Sequence, residues 1–277
     1  NHLQPMKAAM LMAHAFNDWN VMPEHSVRIY EAVKAKGLPH QIYFHQGGHG
    51  GPPPMKQMNR WFTRYLYGLE NGVEKDPKSW VVREGATRGN PESYPDYPHP
   101  EAAAVTLRPN PGGVTAGALT LSTPDAKPAE RQLESLIDNF SFSGAILAKA
   151  DWTNHRLLYT TPELKEPLHL SGTARIRIRL SSSQPAANLS VWLVSLPWTD
   201  SRLITDDVIT RGWADPQNHR SLTESDSLTP GQFYDLNFTL QPDDQIVKAE
   251  AVDFFDQLAL DIDFFQHGFL RIAGAIE

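Results

Sequence analysis

The spacing of apolar and polar residues changes character once along this chain. Up to Leu69 it switches between short apolar runs and helical spacing. Ala8-Ala9-Met10-Leu11-Met12-Ala13 is a continuous apolar run, the pattern of a strand buried on both faces of a parallel sheet. Pro23 suits the first turn of a helix, and Val27, Tyr30 and Val33 share one face until Gly37 ends it. Gln41-Ile42-Tyr43-Phe44 reads as a second strand. Met58, Trp61, Phe62, Tyr65, Leu66 and Leu69 then follow helical spacing, with Asn71-Gly72 as the stop. Strand, helix, strand, helix is one βαβ unit plus a closing helix. Two parallel strands cannot shield both faces of a sheet, so this reading expects the remaining strands ahead of Asn1.

Beyond Gly72 the period shortens to two. Arg175, Arg177 and Arg179 interleave with Ile176, Ile178 and Leu180. Leu189, Val191 and Leu193 share a face, as do Leu236, Phe238 and Leu240. Thr229-Pro230-Gly231 and Pro242-Asp243-Asp244 read as turns between such runs. Many short half-buried strands imply two packed antiparallel sheets, a β-sandwich of the jelly-roll kind. The expected fold class is therefore mixed: residues 1–75 form part of an open α/β sheet and 76–277 a sandwich. A proline-rich stretch at 89–113 reads as an extended connection.

Composition narrows the function classes. The 277 residues carry 25 Lys+Arg against 32 Asp+Glu, a net charge of −7. That charge is unequally divided, +2 over residues 1–100 and −9 over 101–277. An acidic second half repels phosphate backbones, which argues against a nucleic-acid partner. No apolar run approaches the roughly 18 to 20 residues that cross a bilayer, so no membrane partner is expected. Cysteine is absent, which removes disulfides, thiolate catalysis and cysteine-based zinc sites.

Two loops carry candidate chemistry. Asn17-Asp18-Trp19-Asn20-Val21 follows the first strand, and His45-Gln46-Gly47-Gly48-His49-Gly50-Gly51 follows the second. Functional residues of open parallel sheets gather at the carboxyl ends of strands, so Asp18 and His49 could meet there. A carboxylate that accepts from one imidazole nitrogen fixes the tautomer and leaves the other nitrogen to take a proton. Each residue also has a plainer reading, Asp18 as a turn or cap residue and His49 as a surface residue of a glycine-rich loop. His14 and His45 are read as structural. His45 and His49 lie four apart, but Gly47 and Gly48 disfavour a helix between them. HExxH is missing as well, so neither a metal nor any other cofactor is expected. No Gly-x-Ser-x-Gly elbow occurs; Phe140-Ser141-Phe142-Ser143-Gly144 is not one. In α/β-hydrolases the triad runs Ser, then Asp or Glu, then His. An Asp and a His in that order so early place the serine on strands outside this sequence.

Asp18-Trp19-Asn20-Val21 and Gly47-Gly48-His49-Gly50 resemble the Xaa-Pro dipeptidyl-peptidase family, with the cocaine esterase-like and α-amino-acid ester hydrolases as relatives. So do the stretch from Ile209 to Asn218, the stretch from Leu228 to Leu236, and Gln241-Pro242-Asp243-Asp244. The likeness covers most of residues 6–249. It implies the C-terminal fragment of an α/β-hydrolase sheet followed by a jelly-roll domain. It also implies Asp18 and His49 as triad members and release of dipeptides whose second residue is proline. The implied partner is a proline-containing peptide, and the implied setting is cytoplasmic, with secretion and homo-oligomerisation left open. Substrate-binding residues are not identified. Ester or amide hydrolysis is the rival chemistry. A binding or assembly module is the rival class, with Trp192, Trp198 and Trp213 as candidate contacts. After Lys248-Ala249 the sequence departs from the family pattern, although Leu258, Leu260, Ile262 and Phe264 still alternate as a strand would.

Overall fold

A computed structural model describes residues 4–121, 133–137, 144–201, 204–249, 257–264 and 269–276. The first elements in chain order are β1 (Met10–Ala15), α1 (Pro23–Ala35), β2 (His40–His45), α2 (Met55–Tyr65), β3 (Ser79–Val81) and β4 (Glu92–Tyr94). Next come β5 (Leu107–Pro109), β6 (Gly117–Leu121), β7 (Glu134–Ile137), the short α3 (Gly144–Ala148), β8 (Arg156–Thr160), β9 (Leu168–Gly172) and β10 (Arg175–Ser182). The last are β11 (Leu189–Leu196), β12 (Val208–Ala214), β13 (Tyr234–Thr239), β14 (Asp243–Val247), β15 (Gln257–Phe264) and β16 (Phe269–Ile276).

The chain packs into two compact units. One comprises 1–102 together with 169–172 and 241–246, and the other comprises the remainder. This partition differs from the division expected at residue 75. The reason is hydrogen bonding: β3 pairs in parallel with β2, and β4 pairs antiparallel with β3. The proline-rich stretch likewise contains strands at both ends, β4 and β5, rather than being a bare connection.

In the first unit β1 and β2 are parallel, with Met10 opposite His40 and Ala15 opposite His45. The expected βαβ arrangement is present. β2 is the buried strand, with Gln41 through His45 all inaccessible, whereas β1 is half-buried except at Ala15. Among the described residues β1 pairs with β2 and stands at the end of the strand order. Proline at the first turn opens α1, and Gly37, at φ 68°, follows its end. α2 stops at Tyr65, earlier than expected, because Gly68 takes a left-handed conformation that ends the helix. Leu66 and Leu69 therefore continue the apolar spacing beyond the helix and are exposed. The core is aromatic: Phe16 stacks on Phe44 at 4.2 Å, and Tyr97 meets Phe44 at 5.0 Å. Tyr30, Ile42 and Val81 close around them.

The second unit follows the strand order β12-β11-β15-β8-β6-β5-β16-β10-β13, with β7 on β16. Two antiparallel groups are thereby joined through β6, which runs parallel to β8 and antiparallel to β5. β10 shows the expected alternation, arginines outward and Ile176, Ile178 and Leu180 buried, and pairs with β13. The alternating run at 258–264 forms β15, between β11 and β8. Trp192 and Trp198 lean on the Leu158, Val194 and Val208 core, while Trp213 stays 44% exposed. Residues 140–143 and 250–256 lie outside the described residues.

Candidate active site

Both candidate loops leave the carboxyl ends of parallel neighbours. The backbone joins them at once, since the Phe16 N–H donates to the His45 carbonyl at 2.9 Å. Asn17 adds a second tie, its side-chain amide donating to the Gln46 carbonyl at 3.1 Å. The chain then turns sharply at Asp18, whose Oδ1 accepts from the N–H groups of Asn20 and Val21, both at 2.9 Å. This turn role is the plainer reading of Asp18, and it occupies one carboxylate oxygen. The other oxygen, Oδ2, faces His49 Nδ1 at 2.9 Å. Asp18 thus closes its own turn and holds the imidazole at the same time.

The surroundings set the charge of this pair. The Asp18 side chain is only 4% exposed, while that of His49 is 61% exposed. Burial pushes the Asp18 carboxyl up, but hydrogen bonds from Val21, His49 and Asn20 outweigh it and hold it below the ordinary carboxylate value. An ionised Asp18 can only accept, so His49 Nδ1 must carry its hydrogen. The nitrogen left to take a proton is then Nε2.

The other two histidines are held differently. His14 Nε2 lies 3.0 Å from the Val21 carbonyl and 3.4 Å from Asp18 Oδ2, and Nδ1 faces Ser26 Oγ at 2.5 Å. This makes it a second neighbour of the Asp18 carboxylate, signalled in the sequence only by the i, i+4 spacing within an element not expected to be helical. His45 is 1% exposed, and its Nδ1 accepts from the Gly47 N–H at 3.1 Å. Burial, aided by the Arg88 charge, holds His45 below the ordinary imidazole value, so it stays neutral. The glycine loop folds over this ring. A Cβ on Gly51, which sits at φ 118°, would lie 2.5 Å from His45 Nε2. That close approach explains a glycine there.

One part of the site was not legible in the sequence. Asp244, fully buried, receives Arg83 Nη2 at 2.5 Å and His169 Nε2 at 2.8 Å on Oδ1, and Ser171 Oγ at 2.6 Å on Oδ2. Its carbonyl accepts from Arg83 at 3.1 Å and from the Gln46 side chain at 2.8 Å. Gln46 also reaches Glu84 Oε1 at 3.3 Å, and the Ile246 N–H reaches the same oxygen at 3.1 Å. Pro242-Asp243-Asp244, read from its composition as a turn, is accordingly buried and leads directly into a strand. Asp243 opens β14, because buried partners satisfy its neighbour's charge. Among the described residues, no group of three or more His, Asp or Glu side chains is arranged to hold a metal ion.

A carboxylate–imidazole pair at the ends of parallel strands, joined to a β-rich unit, is the architecture of the α/β-hydrolase class with an appended β domain. Solved structures share this fold across nearly the whole chain. A CocE/NonD family hydrolase from Staphylococcus aureus matches with a TM-score of 0.73 at 13% identity, over 99% of this chain and 55% of that one. An aminopeptidase from a marine sediment thaumarchaeon matches at 0.70 and 14% identity, over 98% and 55%. An α-amino acid ester hydrolase matches at 0.66 and 12% identity, over 96% and 54%.

The family model for the X-Pro dipeptidyl-peptidase C-terminal non-catalytic domain matches residues 71–249, and that for X-Pro dipeptidyl-peptidase (S15 family) matches residues 1–51. The chain belongs to the X-Pro dipeptidyl-peptidase family. A Rhodopirellula baltica protein assigned by name to the Xaa-Pro dipeptidyl-peptidases is 61% identical over 249 residues, 89% of this chain and 39% of that protein. The Xaa-Pro dipeptidyl-peptidase of Lacticaseibacillus rhamnosus is 25% identical over 283 residues, 86% of this chain and 34% of that one. The chain thus spans between a third and two-fifths of the length of these relatives. No described helix is long and apolar enough to cross a membrane.

Proposed function

We propose that this chain carries the acid–base half of a serine exopeptidase that releases Xaa-Pro dipeptides from peptide N-termini. Asp18 orients and electrostatically supports His49. His49 Nε2 takes the proton of a serine hydroxyl as that oxygen attacks the carbonyl, then returns it to the leaving amine. The observation that carries this reading is the 2.9 Å contact between His49 Nδ1 and a buried, ionised Asp18. The sequence offers no serine elbow, so the nucleophile and oxyanion donors are assigned to the part of the protein that the relatives possess beyond this match. Residues 1–277 alone are accordingly proposed to be inactive. The peptidase reading is preferred to ester hydrolysis because the sequence relatives carry the peptidase name, whereas the ester hydrolase shares the fold at 12% identity.

The test uses the full-length protein containing this chain. A fluorophosphonate should label one serine, and an Xaa-Pro anilide panel should be hydrolysed in preference to matched esters. Absence of labelling together with absence of anilide turnover would sink the proposal. Anilide hydrolysis by residues 1–277 alone would refute the assignment of the nucleophile.

A further inference from the structure

Gln46 lies three residues before His49, and its two ends face different parts of the molecule. Its carbonyl accepts from Asn17, the residue before Asp18. Its carboxamide nitrogen donates to the Asp244 carbonyl at 2.8 Å and to Glu84 Oε1 at 3.3 Å. Those acceptors are firmly fixed. Asp244 is wholly buried between Arg83, His169 and Ser171, and Glu84 is also held by the Ile246 N–H. Burial works against the charge on Arg83, but Asp244 more than offsets it. The ion pair therefore persists and keeps the Asp244 carbonyl in place.

We propose that Gln46 is a positioning residue for the Asp18–His49 pair, its carboxamide locking the histidine loop onto the buried Asp244–Arg83 buttress. The inference rests on the functional reading above and extends it. Without this anchor the loop is held to its own strand by the Gly47 contact to His45 and to the neighbouring loop by Asn17. Glycines at 47, 48, 50 and 51 give it little stiffness of its own. A loss of about 1 Å in the placement of a catalytic group costs up to roughly a hundredfold in rate.

The chemistry of the anchor is specific. Both acceptors facing the Gln46 nitrogen are oxygens, one of them a carboxylate, so the position requires a donor. Gln46→Met keeps the length and removes the donor. Gln46→Glu keeps the shape and sets an acceptor against two acceptors. In the full-length protein, kcat toward an Xaa-Pro anilide should fall about ten- to a hundredfold in Gln46→Met and further in Gln46→Glu. KM should stay within about threefold of wild type. In an Asp18→Asn background, Gln46→Met should cost less than about threefold, because the imidazole then carries its proton on Nε2 and its exact placement no longer limits turnover.

The outcomes separate cleanly. Equal activity of Gln46→Glu and wild type would overturn the inference, as would an undiminished Gln46→Met effect in the Asp18→Asn background. Global unfolding of both Gln46 variants by circular dichroism would make the residue structural and overturn it too. A large loss from Asp18→Asn with none from Gln46→Met removes this inference alone. An Asp18→Asn variant as active as wild type removes the functional reading as well.

Discussion

Replacing Asp18 by Asn tests the candidate site most directly, and the structure fixes what the substitution must do. Asn can present its amide in two orientations. Two backbone donors, the N–H groups of Asn20 and Val21, each sit 2.9 Å from Oδ1. An NH2 group at that position would oppose two donors and leave both unsatisfied, at a cost of about 1–3 kcal/mol each. The amide oxygen is therefore held where Oδ1 now lies, and the NH2 group faces His49 Nδ1. That nitrogen must become an acceptor, which moves the ring proton to Nε2 and removes the lone pair that would receive the serine proton. Loss of the correct tautomer in a serine hydrolase triad costs about four orders of magnitude in kcat, or roughly 5 kcal/mol of barrier. Steady-state hydrolysis of an Ala-Pro anilide by the full-length protein gives kcat and KM separately, and KM should change little. A kcat within tenfold of wild type would show that Asp18 does not set the histidine's tautomer during turnover.

Three further outcomes follow from the same network. Because Asp18 is held below the ordinary carboxylate value partly by His49, its contribution to stability is present above the unfolded-state value near 3.8 and is lost as pH falls through the lowered folded one. His49→Ala should raise the Asp18 value, read by carbon-detected NMR titration, and an unchanged value would contradict the contact. Asp243 behaves oppositely: burial, with Asp244 and Glu84 nearby, pushes its carboxyl well above 3.8. Its stabilising share is complete below about 3.8 and declines as pH rises, so Asp243→Asn should gain stability relative to wild type between pH 4 and neutrality, and a constant difference in urea midpoints across that range would refute the sign. Asp244→Ala strands a buried Arg83 and should destabilise the first unit by about 3–5 kcal/mol, so a shift below 1 kcal/mol in chemical unfolding would mean that Arg83 finds water or another partner.

What the sequence revealed and what it hid divide along one physical line. Local patterns were legible: proline at the start of α1, glycine after its end, the arginine–aliphatic alternation of β10, and two loops placed at adjacent strand ends by the βαβ rule. The Asp18–His49 contact is reachable by the same logic, since parallel pairing of β1 with β2 brings residues 31 apart in sequence together. Less local features misled. The helical spacing of Leu66 and Leu69 continues past a helix that Gly68 has already ended, because apolar periodicity records which residues could pack, not where the backbone must turn.

The Pro242-Asp243-Asp244 segment shows most clearly where composition fails. Three turn-forming residues in a row favour an exposed turn, and two adjacent carboxylates ordinarily require water. Here Arg83, His169 and Ser171 supply the hydrogen bonds that water would otherwise give Asp244, and all three are at least 73 residues away in sequence. No local window contains that compensation. The consequence bears on how the family's two regions divide their work. Residues 169–172 and 241–246 fall within the span matched by the domain described as non-catalytic, yet they pack in the compact unit that holds Asp18 and His49. The boundary drawn by sequence similarity falls between residues 51 and 71, so Arg83 and Asp244, 161 residues apart and joined at 2.5 Å, lie on one side and Gln46, which donates to the Asp244 carbonyl at 2.8 Å, lies on the other. Removing residues 241–249 to isolate the α/β portion would leave Arg83 and the Gln46 carboxamide without their shared acceptor. The α/β portion should then lose the geometry of its histidine loop even where its own strands remain paired.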